Sequence, residues 1–164
     1  MKLMRIYIDT SVVGGYFDEE FMEATQIFFS MLRAKRFIPL ISDILAEEIG
    51  EAPQQVQDLL VEIIQVGVEQ IQISDEAVNL RDAYLKTGIV TEQYEDDAMH
   101  VALATLVRAD VIVSWNFRHL VNPSRIRAFN GVNSMQGYGP VVILTPDDLN
   151  RILEDSYEYE DQNS

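Results

Sequence analysis

Two hydrophobic periodicities alternate along the 164-residue chain. Short apolar runs at Ile6–Ile8, Phe37–Ile41, Val68–Ile73, Val111–Val113 and Val141–Leu144 predict strands. Between them the spacing of apolar residues changes to three and four. Phe21, Ala24, Ile27, Phe28, Met31 and Leu32 form one helical stripe, closed by Arg33, Lys35 and Arg36 where the helix dipole favours cations. Ser42 or Asp43 can cap a short helix running to about Gly50. Pro53 suits the first turn of a helix that presents Val56, Leu59, Leu60, Ile63 and Ile64 on one face and stops at Gly67. Ser74 caps a helix through about Lys86, and Gly88 closes it. Gln93–Arg108 reads as a helix rich in Ala, Val and Leu, and Thr145-Pro146 opens a last short one. Pro39 argues against full pairing on both sides of the second strand. Strands alternating with helices predict an α/β fold with a parallel or mostly parallel sheet covered on both faces.

Composition narrows this picture. The length fits one domain with a sizeable core. The domain is expected over residues 1–153, with 154–164 as an acidic, disordered tail. No apolar run approaches the ~18 residues of a membrane span, and Met1–Arg5 is too short for a signal peptide. There is no cysteine, which removes disulfides and thiolate metal sites and fits a cytoplasmic protein. The net charge of −15 opposes non-specific nucleic-acid binding and suits divalent cations or a basic partner. The charge is uneven: Val111–Pro146 contains no acid but carries Arg118, His119, Arg125 and Arg127, whereas seven acids and Arg151 follow Pro146.

Candidate chemistry begins at Asp9, where the first apolar run stops and Thr10-Ser11 follows. Ligands of open α/β sheets sit beyond the carboxyl ends of the strands; the competing reading is a strand-ending acid or a helix cap. Glu48 lies four residues after Ile44 and three after Leu45, on their inward stripe, while Glu47 points elsewhere. Glu48 is therefore either a paired or ligating carboxylate or a side chain reaching solvent past a short helix. Asp97 leads the stripe that continues at Val101, although the helix dipole alone favours an acid in a first turn. Asp96 is expected to face solvent, and His100 to pack behind the acids. After the Val111–Val113 run come Ser114 and Asn116, neutral hydrogen-bonding groups at another strand end or members of a plain turn. If Asp9, Glu48 and Asp97 met at ~5 Å, each pair would repel by roughly 3 kcal/mol at an effective dielectric near 20. The sum rivals the stability of a whole domain. Such a cluster requires a divalent cation, bound protons or salt bridges, and all-oxygen donors favour Mg²⁺ or Mn²⁺.

The segments Tyr7-Ile8-Asp9-Thr10-Ser11-Val12, Ser42 with Glu48, Asp97-Ala98-Met99-His100-Val101-Ala102 and Ala109-Asp110-Val111-Ile112-Val113-Ser114-Trp115-Asn116 together resemble a PIN domain over about residues 4–150. The resemblance implies a three-layer α/β/α sandwich and a Mg²⁺- or Mn²⁺-dependent ribonuclease. For VapC-like members it implies the toxin of a type II toxin–antitoxin pair, a small antitoxin partner and a homodimer. It assigns Asp9, Glu48 and Asp97 to the acidic, metal-holding site, and places Asn116 where the family's fourth acid stands. Thr10, Ser11 and Ser114 become accessory groups, and Arg118, Arg125 and Arg127 candidates for gripping an RNA backbone. The neutral Asn116 leaves a second expectation, a PIN-like binding module impaired in cleavage.

Overall fold

The computed structural model describes residues 2–163. In chain order the elements are β1 (Arg5–Ile8), α1 (Thr10–Gly15), α2 (Met22–Arg33), β2 (Ile38–Ser42), α3 (Asp43–Ile49), α4 (Gln54–Val66), β3 (Glu69–Ile71), α5 (Asp75–Lys86), a 3₁₀ turn (Glu92–Tyr94), α6 (Glu95–Leu106), β4 (Val111–Val113), α7 (Pro123–Met135), β5 (Ile143–Leu144) and α8 (Pro146–Asn163). The strands form one sheet in the order β3-β2-β1-β4-β5, and every pairing is parallel. Because side chains alternate across β1, Ile6 and Ile8 enter one core with residues of α2, α4 and α8. Tyr7 enters the other, with α5, α6 and α7. The result is the expected α/β/α sandwich. Among the described residues no helix is long and apolar enough to cross a membrane.

Three differences from the sequence reading have local causes. β2 is an interior strand despite Pro39, because β3 starts pairing only at Leu40. Ile38 donates its N–H to Met4 O across the β1 side, so position 39 faces the side that β3 has not yet reached and its missing N–H costs no bond. Residues 123–135, for which no element was expected, form α7; Pro123 opens it and the Asn122 side chain accepts from Ser124 N and Arg125 N. The stretch expected as a disordered tail continues α8 to Asn163. Leu149 and Leu153 of this helix are buried, Arg36 donates to Leu153 O, and the Arg36 guanidinium lies 4.4 Å from the Tyr157 ring centroid.

The site lies at the carboxyl edge of the sheet. β1 delivers Asp9, β2 runs into Ser42 and α3, and β4 delivers Ser114. β1 and β4 run in register, Ile8 opposite Val113, so Asp9 and Ser114 leave the sheet side by side.

Candidate active site

Asp9 is 3% exposed. It stands at the N-cap of α1, yet its side chain caps nothing. Its Oδ2 accepts from Ser11 Oγ (2.6 Å) and Ser114 Oγ (2.8 Å). The two hydroxyls are themselves held: Ser11 Oγ accepts from Trp115 N and Ser114 Oγ from Asn116 N, each at 2.9 Å. Among the described residues no hydrogen bond reaches Asp9 Oδ1, whose neighbour is His100 Nε2 at 3.6 Å. Asp9 is thus a buried carboxylate held through one oxygen, with the His100 imidazole nearest the other, and its side chain does not cap α1.

Glu48 stands at the rim, with its side chain 32% exposed and turned onto His100: Oε1 lies 2.7 Å from Nε2. Thr10 Oγ1 donates to the same oxygen at 3.0 Å. The His100 ring is fully buried, and its Nδ1 lies 2.7 Å from the Tyr7 hydroxyl, which donates to Ser42 Oγ at 2.8 Å. Nε2 thus faces the Glu48 carboxylate and Nδ1 the Tyr7 hydroxyl. Burial disfavours the cation, but the Glu48 bond and the charges of Asp9, Glu48 and Asp97 outweigh it and raise the His100 pKa. Burial raises the Glu48 pKa, but the bond and charge of His100 overcome it, so Glu48 lies below its ordinary value.

Asp97, in the first turn of α6, pairs with His119 (Oδ2 to Nδ1, 2.8 Å). Its pKa is raised, by burial first and by the nearby charge of Asp9, against the His119 bond. His119 lies with its ring centroid 4.2 Å from that of Tyr94. Asp96 is exposed, as expected.

The expected cluster of carboxylates thus takes the form of Asp9 flanked by two acid–histidine pairs. Among the described residues no three acids, histidines or cysteines stand together as a ready metal cage, because Glu48 and Asp97 are each turned onto a histidine. Carboxylate oxygens are the donors a hard divalent cation takes, and three carboxylates lie around this end of the sheet without being gathered into one cage. Asn116 points its side-chain oxygen at His119 N (2.9 Å), closing the turn after β4. Thr10, Ser11 and Ser114 are all at the site. The three arginines are not gathered there as a group. Arg118 lies over the Tyr94 ring at 5.2 Å, whereas Arg125 and Arg127 ride on α7, with Arg125 lining a cleft beside Thr87 and Asn122.

Sequence reasoning passed over His119, Tyr7 and Ser42 as parts of the site. Tyr7 carried a usable signal: a hydroxyl two residues before Asp9 on a buried strand needs a partner, and the alternation of β1 aims it at the α6 side where His100 lies.

No family model matches the chain. No curated protein matches it either. In fold it is similar to a chain of the crystal structure of VapBC2 from Rickettsia felis bound to a DNA fragment from their promoter. The TM-score is 0.54 and the identity 15%, and the match covers 87% of this chain and 98% of that one. At that identity the likeness is one of fold.

Proposed function

We propose that this chain is a metal-dependent endoribonuclease of the PIN type and the toxin of a type II toxin–antitoxin pair, working in the cytoplasm as a homodimer. The observation that carries the reading is Asp9: a carboxylate at the carboxyl end of a central strand, 3% exposed, held through one oxygen by Ser11 and Ser114. Glu48 and Asp97 flank it, and the likeness in fold to VapBC2 supports both the nuclease and the paired partner. Asp9, Glu48 and Asp97 would hold Mg²⁺ or Mn²⁺. When bound, the cation supplies charge neutralisation at the scissile phosphate and acidifies a water.

The chain's own residues have separate tasks. Ser11 and Ser114 hold the Asp9 carboxylate in one orientation. His119 and His100 bond Asp97 and Glu48 and hold each carboxylate in one orientation. Thr10, bonded to Glu48, lies where it can orient a water or a phosphate oxygen. Arg118 offers a cation to the RNA backbone beyond the site.

The test is cleavage of single-stranded RNA with Mg²⁺ or Mn²⁺. Asp9→Asn and Asp97→Asn should each lower the rate by roughly a hundredfold or more. Cleavage that survives both substitutions overturns the reading. One observation favours the second reading, a PIN-like binding module: the Asn116 oxygen is engaged by His119 N rather than left open to the site. RNA retained without cleavage at any divalent concentration would select it.

A further inference from the structure

Away from the candidate active site, a second cavity of about 550 Å³ opens where the last turn of α6, the turn before β4 and the segment between α7 and β5 meet the first turn of α5. A volume of this order takes a small molecule. None of the candidate site residues lines it. Asp97 stands in the first turn of α6 and Thr105 in the last, about 12 Å further along the helix axis.

The walls are fixed before any ligand arrives. Two asparagines of α7 hold the segment that leads to β5. Asn133 Nδ2 donates to Gly139 O, while Asn130 accepts from Val141 N and donates to Val141 O. The floor is already bonded: Thr105 Oγ1 donates to Val101 O and accepts from Asn133 Nδ2. Recognition therefore falls to three side chains at the mouth. The Arg108 carbonyl is taken by Arg5, but its guanidinium makes no hydrogen bond or ion pair among the described residues. Glu76 Oε1 accepts from the Tyr138 hydroxyl at 2.6 Å, and among the described residues no hydrogen bond reaches its other oxygen. A cation and a carboxylate thus border one cavity without pairing to each other. The Tyr138 ring, packed against the core, and Pro140 supply apolar surface.

This arrangement selects against ligands of a single sign. A simple anion meets Arg108 but also Glu76 and a chain of net charge −15. A simple cation meets Glu76 but also Arg108. A zwitterion engages both and adds no net charge, and a guanidinium takes a carboxylate through two parallel bonds. We propose that the cavity binds a free α-amino acid with a neutral side chain, its carboxylate on Arg108, its ammonium on Glu76 and its side chain against Tyr138 and Pro140. The site is separate from the one that carries the nuclease reading and does not depend on it.

Isothermal titration calorimetry of the intact protein tests this with L-leucine, L-methionine and L-phenylalanine, each beside its N-acetyl and carboxamide forms, and with guanosine monophosphate. At least one of the three amino acids should give a saturable isotherm. Blocking its amine or its carboxylate should weaken binding about tenfold, as should Arg108→Gln and Glu76→Gln, since each removes a charge-assisted bond. Both side chains are exposed, so these variants keep the fold, which circular dichroism checks. Lys35→Gln and Glu158→Gln, a cation and an acid remote from the cavity, should leave binding unchanged. No isotherm with any of the three, equal binding of the blocked forms, binding that survives both Arg108→Gln and Glu76→Gln, or binding of the nucleotide in place of the amino acids each overturns the proposal.

Discussion

The two ends of the same parallel sheet solve the same electrostatic problem in opposite ways. At the amino end Arg5 is surrounded by acceptors: Glu69 at 2.5 Å and 3.2 Å, Val107 O at 2.6 Å, and Asp110, which accepts from Arg5 N. One permanent cation meets a carboxylate and the carbonyls of Val107 and Arg108. At the carboxyl end acids are in excess, and the groups facing them are two histidines and three hydroxyls rather than an arginine. An arginine would settle the charge permanently and occupy the carboxylates. A histidine is a weaker, titratable partner that a stronger cation can displace. The amino end is built for stability, and the carboxyl end keeps unspent negative charge, as functional sites do.

The sharpest way to break this contrast is at His119. His119→Ala removes the partner that orients Asp97, and should weaken the dependence of RNA cleavage on Mg²⁺ by roughly tenfold or more, as loss of an outer partner of a metal ligand does. A rate–Mg²⁺ curve identical to that of the unaltered protein would mean that Asp97 is not positioned through His119. At the opposite end, Arg5→Met should lower the unfolding free energy by about 1–2 kcal/mol, since it strands two carbonyls and a half-exposed carboxylate. It should leave the cleavage rate unaltered. Asp97→Asn should do the reverse, shifting stability by less than about 0.5 kcal/mol, because the fold already disfavours the charged form of Asp97. Paired urea titrations and cleavage assays read both. A smaller effect on the rate than that of Asp97→Asn is expected of Tyr7→Phe, which removes the phenol from Ser42 and His100. It should cost about 1 kcal/mol of stability, with a modest fall in rate if His100 holds Glu48 in place.

Most of the architecture was legible because the cores follow simple periods. The β1 alternation, the α2 and α4 stripes and the Ser42 and Ser74 caps all appear where the sequence puts them. α1 was missed because six residues ending in Gly14-Gly15 are too short to show a period. α7 was missed although Asn122-Pro123 is a sound start signal, because its buried face includes Asn133. That residue is satisfied by the distant Tyr84 hydroxyl and Thr105 Oγ1 and by Gly139 O, six residues on. Asp9, Glu48 and Asp97 could be picked out singly, as acids at a strand end or on an inward face. His100 was expected behind the acids, but which acid each histidine pairs with could not be read, because the residues of the two pairs are 52 and 22 positions apart.

By itself, then, the sequence determined the layers, the strand direction and the identity of the acids, since each depends on local spacing and on which residues tolerate burial. It also posed the question of what offsets three converging negative charges. Only the tertiary structure decided the answer, by bringing His100 under Glu48 and Asp9 and His119 onto Asp97. It likewise decided that the Asn116 oxygen closes a turn, and that Arg108, Glu76 and Tyr138 border one cavity. Hydrogen bonds and charge pairs act over a few ångströms of space, and separation along the chain carries no information about them until the sheet has set the register.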